Sequence, residues 1–351
     1  MLFRSLPKRT WLMATRFLNG QIYLGQGEWA TELFVDYGKV SELGAFTEST
    51  EQIEVDLQGN TLIPAFRDGH AHPLFAGREI SGLDVTQAQS VAEIQTLLST
   101  YASQNPEGWI VGGAYDRSLC PTNATAVLDE VVSDRPVVLH ADDHHTIWVN
   151  TKALEVAGLL TANLPELSIG RIDVDENSLP TGILREFEAI DLLMKHKPEA
   201  SLDADVKALL LADQLLLESG IVEVQDAWVD PGMTDVYLAA SGKLKLDYKL
   251  LLRTEPGQLD RNLEYIKSVL DIDFTNTNIQ VQGAKFFLDG VFGSATAAVK
   301  DPYLSTNSTG DLNWRFEELV ETISKVHDLG LQTHLDRKST RLNSSHTDIS
   351  R

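Results

Sequence analysis

The chain has 351 residues, 43% of them hydrophobic and 23% charged, which excludes disorder and allows one large core or two domains. Acidic residues number 51 against 29 basic ones, a formal net charge of −22, so the clustered Lys and Arg needed for nucleic acid or an anionic membrane surface are not expected. The single cysteine, Cys120, excludes an intrachain disulfide and a Cys-rich zinc site, and it suits a reducing, cytoplasmic compartment.

The first residues, MLFRSLPKRTWLMA, are basic but lack the continuous apolar core of a signal peptide. Regular patterning starts at Met13, so residues 1–12 read as an upstream extension and Met13 as an alternative start. No apolar run approaches the ~20 residues that span a bilayer. Short alternating runs at Arg16 to Leu24, Glu32 to Val35 and Gln52 to Leu57 predict a small antiparallel sheet. The apolar run from Thr61 to Phe66 predicts a strand, followed at once by Arg67-Asp68-Gly69-His70-Ala71-His72-Pro73. Helical spacing covers Val91 to Gln104, and Trp109 to Gly113 and Pro136 to Ala141 read as buried strands. From Asp203 onward the pattern gives helix, strand, strand, helix, strand, helix, strand. The strands are Ile221 to Gln225 (ending in Asp226), Asp247 to Leu252, Ile279 to Leu288 and Gly330 to Leu335. That alternation predicts a parallel α/β sheet, open or closed into a barrel.

Chemistry-bearing residues gather at predicted strand ends. His70 and His72 are two apart, so a period of two puts both imidazoles on one side, where they can chelate a borderline metal such as zinc. A pair of surface histidines in a turn has the same spacing. His334 ends another apolar strand, as a third imidazole donor or a hydrogen-bonded histidine. Lys285 lies inside Ala284-Lys285-Phe286-Phe287-Leu288, where an ammonium is costly to bury. It therefore snorkels, pairs with Asp289, or is carbamylated by carbon dioxide into an anionic oxygen ligand.

The run Leu62-Ile63-Pro64-Ala65-Phe66-Arg67-Asp68-Gly69-His70-Ala71-His72-Pro73 resembles the first barrel strand of the amidohydrolase superfamily. Trp109-Ile110-Val111-Gly112-Gly113, the segment Asp143 to Leu154, Pro180 to Glu186, and Lys285 to Gly290 follow in the order of one branch, amidohydrolase family 3, which includes N-substituted formamide deformylase-like enzymes. The resemblance covers roughly residues 14 to 335. It implies an α/β fold: an incomplete metal-dependent-hydrolase (β/α)8 TIM barrel with a small N-terminal β-sandwich part and an inserted α/β segment. The corresponding boundaries are 1–13 for the extension, 14–60 for the sandwich part, 61–335 for the barrel with its insertion at about 75–200, and 336–351 for a non-native tail.

The same resemblance implies one or two divalent ions, zinc by expectation, held by His70, His72, a carbamylated bridging Lys285 and His334. His145, in the insertion over the site, becomes the candidate catalytic, substrate-facing residue. Arg67, where an apolar residue is common, and His144, in place of the usual Gly, depart from the pattern. Such a site activates water against the carbonyl of a small amide-like substrate, with a carboxylate moving the proton to the leaving nitrogen. That carboxylate, an Asp on the last barrel strand, and a further His ligand cannot be placed. Asp336 to Arg351 is polar and basic in an acidic chain and resembles a translated sequencing adapter, so His346 is no candidate and the chain is expected to be an inactive fragment. Unpaired edges of residues 14–60 are expected to invite association into a homo-oligomer. The competing reading is a non-catalytic metal-binding or scaffold protein on the same fold.

Overall fold

The computed structural model describes residues 14–36, 39–41, 52–142, 145–167, 170–290, 296–304 and 307–337. The expected extension 1–13, His144, and all of the expected tail beyond Arg337, including His346, lie outside the described residues.

The N-terminal strands form two sheets rather than one. β1 (Ala14–Leu18), β4 (Leu33–Asp36), β5 (Lys39–Ser41) and β6 (Gln52–Asp56) make a four-stranded sheet in the order β5-β4-β1-β6. β2 (Gln21–Gly25), β3 (Glu28–Ala30) and β7 (Thr61–Leu62) make a three-stranded one. Neither is purely antiparallel, because β6 runs parallel to β1 and β7 parallel to β2. Parallel neighbours need a crossover, which short alternating runs do not encode.

The apolar run from Thr61 to Phe66 is not one strand. Pro64 lacks an N–H for a ladder, and β7 stops at Leu62. The next strand, β8 (Phe66–Ala71), is the polar stretch that carries His70. It leads through His72 into α1 (Pro73–Ile80), with Pro73 in the first turn, where a missing N–H costs nothing.

A six-stranded sheet follows, ordered β13-β14-β12-β11-β10-β9. Its strands are β9 (Leu83–Asp84), β10 (Ile110–Tyr115), β11 (Val137–Ala141), β12 (Thr146–Val149), β13 (Arg171–Val174) and β14 (Pro180–Arg185). The helices between them are α2 (Val91–Gln104), α3 (Ala124–Asp129) and α4 (Thr151–Val156), with α5 (Phe187–Met194) after β14. In β11, Val137 and Leu139 enter one apolar cluster while Val138 enters another. Both faces are covered, which accounts for the unbroken apolar run.

The remaining strands are β15 (Ile221–Val229), β16 (Asp247–Thr254), β17 (Ile279–Phe287) and β18 (Gln332–Asp336), with helices α6 (Leu202–Glu218), α7 (Met233–Ala240), α8 (Leu259–Leu270) and α9 (Phe316–Asp328). With β8 they build a five-stranded, all-parallel sheet ordered β18-β17-β16-β15-β8. Helix α7 escapes a sequence reading because Met233, Val236, Tyr237 and Ala240 are all buried, leaving little polar period. Buried Asp213 on α6 accepts from the Lys245 and Leu246 amides and the Tyr248 hydroxyl at 3.0–3.1 Å, pinning the start of β16.

This sheet is curled. In a flat sheet, β8 and β18 would lie roughly 19 Å apart, at ~4.8 Å per strand. Instead, the rings of His70 on β8 and His334 on β18 have centroids 5.4 Å apart. The main core, including Val224, Tyr248, Leu250, Phe286, Leu209 and Val326, packs strands against helices, so the histidines lie apart from it.

Candidate functional site

Parallel strands deliver their last side chains to one end of the sheet, and the sequence places its histidines there. His70 is the penultimate residue of β8, and His72 lies just past it. Their rings are 5.3 Å apart, edge to face. His334 completes a group of three imidazoles centred on His70. Lys285 on β17 is in register with His334 on β18 and with Arg253 on β16. It has no exposed surface. The structure thus brings His70, His72, Lys285 and His334 to one place.

Lys285 neither snorkels nor pairs with Asp289. Its Nζ lies 2.9 Å from Asp336 Oδ2 and 4.6 Å from the centroid of the Phe287 ring. Asp336 is 5% exposed and is the last residue of β18, so the folded strand extends one residue past the expected boundary at Leu335. The physical reason is the lysine, since a buried ammonium needs a buried carboxylate. His334-x-Asp336 repeats the spacing of His70-x-His72, which is the signal that could have placed Asp336 in the site.

Electrostatics keep His70 neutral. Burial first, then the charge of Lys285, lower its pKa from 6.5 to about 4. Gln225 Nε2 donates to the Gly69 carbonyl at 2.9 Å and lies 3.5 Å from His334 Nδ1. Asp226, fully buried, accepts from the Tyr237 hydroxyl at 2.7 Å and the Trp228 amide at 3.1 Å, and it lies 3.6 Å from His72 Nδ1. Burial pushes the Asp226 carboxyl up, against the pull of its donors. The Trp228 ring packs on His72, Phe75 and Phe287 at 6.0, 5.5 and 4.7 Å. Arg253 covers that ring at 5.5 Å and pairs with Asp230 and Glu255, each at 2.6 Å.

Gln225 and Asp226 were visible in the sequence only as the end of a strand. Nothing local in the sequence announces their partners, which sit on other elements.

His145 belongs to the other sheet. It precedes β12, its Nδ1 lies 2.9 Å from Glu186 Oε2, and Glu186 N–H donates to its carbonyl at 2.7 Å. Glu186, at a left-handed φ of 67°, is a partner the sequence did not single out.

Among the described residues, no three His, Cys, Asp or Glu side chains are drawn together tightly enough to form a metal-binding group. The imidazoles are neighbours at ring-packing distance. Among the described residues, no helix is long and apolar enough to cross a membrane.

Residues 54–339 match the amidohydrolase family. YtcJ of Bacillus subtilis (strain 168) is 27% identical over 345 residues, covering 89% of this chain and 61% of that protein. N-substituted formamide deformylase of Arthrobacter pascens is 28% identical over 236 residues, covering 63% of this chain and 43% of that enzyme. The chain therefore spans less than two thirds of the length of each of these two relatives. A crystal structure of an uncharacterized metal-dependent hydrolase from Pyrococcus furiosus shares the fold, with a TM-score of 0.69 at 24% identity over 92% of this chain and 67% of that one. With its match running from β6 through β18 and taking in all four residues that meet at the strand ends, the chain belongs to the amidohydrolase family.

Proposed function

We propose that this chain is the larger part of a metal-dependent hydrolase that cleaves carbon–nitrogen bonds in small amide-like substrates, N-formyl or N-acyl amines. The observation that carries this reading is the meeting of three imidazoles and a buried lysine from both outer regions of one curled sheet. Family membership and a relative named for deformylating N-substituted formamides support the bond type. The curled sheet is read as part of a (β/α)8 barrel, the strands at 14–60 as part of a sandwich, and the six-stranded sheet as the insertion.

The donor set fits one or two divalent ions, with zinc preferred, because neutral imidazoles are borderline ligands and His70 stays neutral far below pH 7. His70, His72, His334 and Lys285 would hold them. A divalent ion there supplies carbonyl polarisation and a lower pKa for water. Lys285 is an ammonium beside Asp336. Carbamylation would place a second anion beside Asp336, and bound divalent ions would supply the charge that balances the two. Trp228, Phe75 and Phe287 wall the site and keep bulk water from one side of the histidines. His145, oriented by Glu186, is the group assigned to face the substrate from the insertion.

The test compares this chain with one extended to the relatives' length. Both are loaded with zinc and bicarbonate and assayed for amine release from N-formyl and N-acyl amines. Release that requires metal and is abolished by His70→Ala is the expected result. An extended chain that binds zinc yet releases no amine from any such substrate would refute the assignment.

A further inference from the structure

We infer that Asp226 is the positioning residue of His72: its carboxylate accepts a hydrogen bond from the Nδ1–H of that imidazole and directs the Nε2 lone pair toward the centre shared with His70, Lys285 and His334. The inference rests on the metal reading of that cluster, but its central observable does not need the metal.

A carboxylate with no exposed surface persists only with donors around it. Asp226 has two firm ones, the Tyr237 hydroxyl at 2.7 Å on Oδ2 and the Trp228 amide at 3.1 Å on Oδ1. Oδ1 has a second lone pair, and His72 Nδ1 lies 3.6 Å from it. That nitrogen is itself buried, with no atom among the described residues within hydrogen-bond reach. Two buried polar atoms on β15 and just past β8 thus face each other slightly beyond hydrogen-bond distance. Such contacts run long in ligand-free sites and tighten when the centre fills.

The backbone is built for this aim. The pairing of β15 with β8 shifts register between Val224 and Asp226, and its pairing with β16 shifts between Asp226 and Val229. Irregularities of this kind re-aim side chains beside active sites. Tyr237, completely buried on α7, fixes the far oxygen of the carboxylate. An imidazole whose Nδ1–H is claimed by a carboxylate presents Nε2 as a more basic ligand in a fixed direction. The Gln225 amide nitrogen near His334 is a donor and cannot accept an imidazole N–H in this way.

The experiment reads the tautomer of His72 and the zinc affinity. Long-range proton–nitrogen correlation spectra are recorded on the metal-free chain near neutral pH, and the His72 signals are identified by their loss in His72→Gln. The expected tautomer carries its proton on Nδ1, against the preference of free histidine. Asp226→Asn should move it to Nε2, and Tyr237→Phe should populate a mixture. Zinc affinity, measured by competition with a chromophoric chelator, should fall roughly 10–100-fold in Asp226→Asn and less in Tyr237→Phe. An Nε2-protonated His72 in the unsubstituted chain overturns the inference, and so does unchanged zinc affinity in Asp226→Asn. If the chain binds no zinc but His72 is Nδ1-protonated and responds to Asp226→Asn, the positioning role stands and the metal reading fails.

Discussion

Lys285 and Asp336 set the energetics of the site before any ligand arrives. Both are buried, and their ion pair spans 2.9 Å. Removing one partner of such a pair typically costs about 3–5 kcal/mol, because the other charge stays buried without it. Asp336→Asn should therefore lower the stability of the metal-free chain by that order in urea unfolding. The double replacement Lys285→Met with Asp336→Leu should recover most of the loss, since apolar pairs of similar volume are often neutral or better. His70 titrates as a second consequence of the same lysine and of burial. Its folded pKa, about 4, lies below the ordinary 6.5. Protonation then favours the unfolded chain, so this contribution to stability is complete above pH 6.5 and declines as pH falls toward about 4. A proton NMR titration of the His70 ring should give a midpoint near the lower value, and a midpoint at 6.5 would contradict the burial and charge assigned to it.

Among the elements, α1 and α6 pack closely at Gly77. A Cβ there would stand 2.1 Å from the Ala208 carbonyl oxygen, a backbone atom that cannot swing away. Gly77→Ala should thus cost about 1–3 kcal/mol as an overpacking substitution. Because His72 is the N-cap residue of α1, the shift should also weaken zinc binding. Gly69 gives the contrast. It sits on β8 beside His70, but its Cβ would meet nothing within 4 Å. Gly69→Ala should change stability by less than about 0.5 kcal/mol. Urea midpoints of the two variants, measured side by side, check both expectations.

Across the whole molecule, the curl of the five-stranded sheet matters most, because it brings a side chain of one edge strand within ring-packing distance of one on the other. A ligand bridging His70 and His334 would tie β8 to β18. Zinc at a hundredfold excess over its dissociation constant should stabilise the chain by about 2.7 kcal/mol. His70→Ala and His334→Ala should each remove most of that gain in thermal melts. Equal zinc stabilisation in all three chains would mean that the ion binds elsewhere.

Local pattern carried a good deal of this protein. The His70-x-His72 spacing, the lysine inside an apolar run, and helix α2 at its observed bounds all depend on neighbours a few residues apart. Family membership was legible in the ordered motifs. Folding in three dimensions decided the rest. Pro64 moved the histidine-bearing strand onto a polar stretch that periodicity passes over, and burial on all sides hid α7. Lys285 found Asp336 rather than the nearby Asp289 because β17 and β18 are hydrogen-bonded neighbours, with Asp336 two positions past His334, the register partner of Lys285. Asp226 meets His72, and Gln225 lies beside His334, 109 positions away, because a curled parallel sheet collects strand ends that the chain keeps far apart. Sequence periodicity fixes which way a side chain points along its own strand. Which side chains then face one another is set by strand order and sheet curvature, and those are properties of contacts distant in sequence.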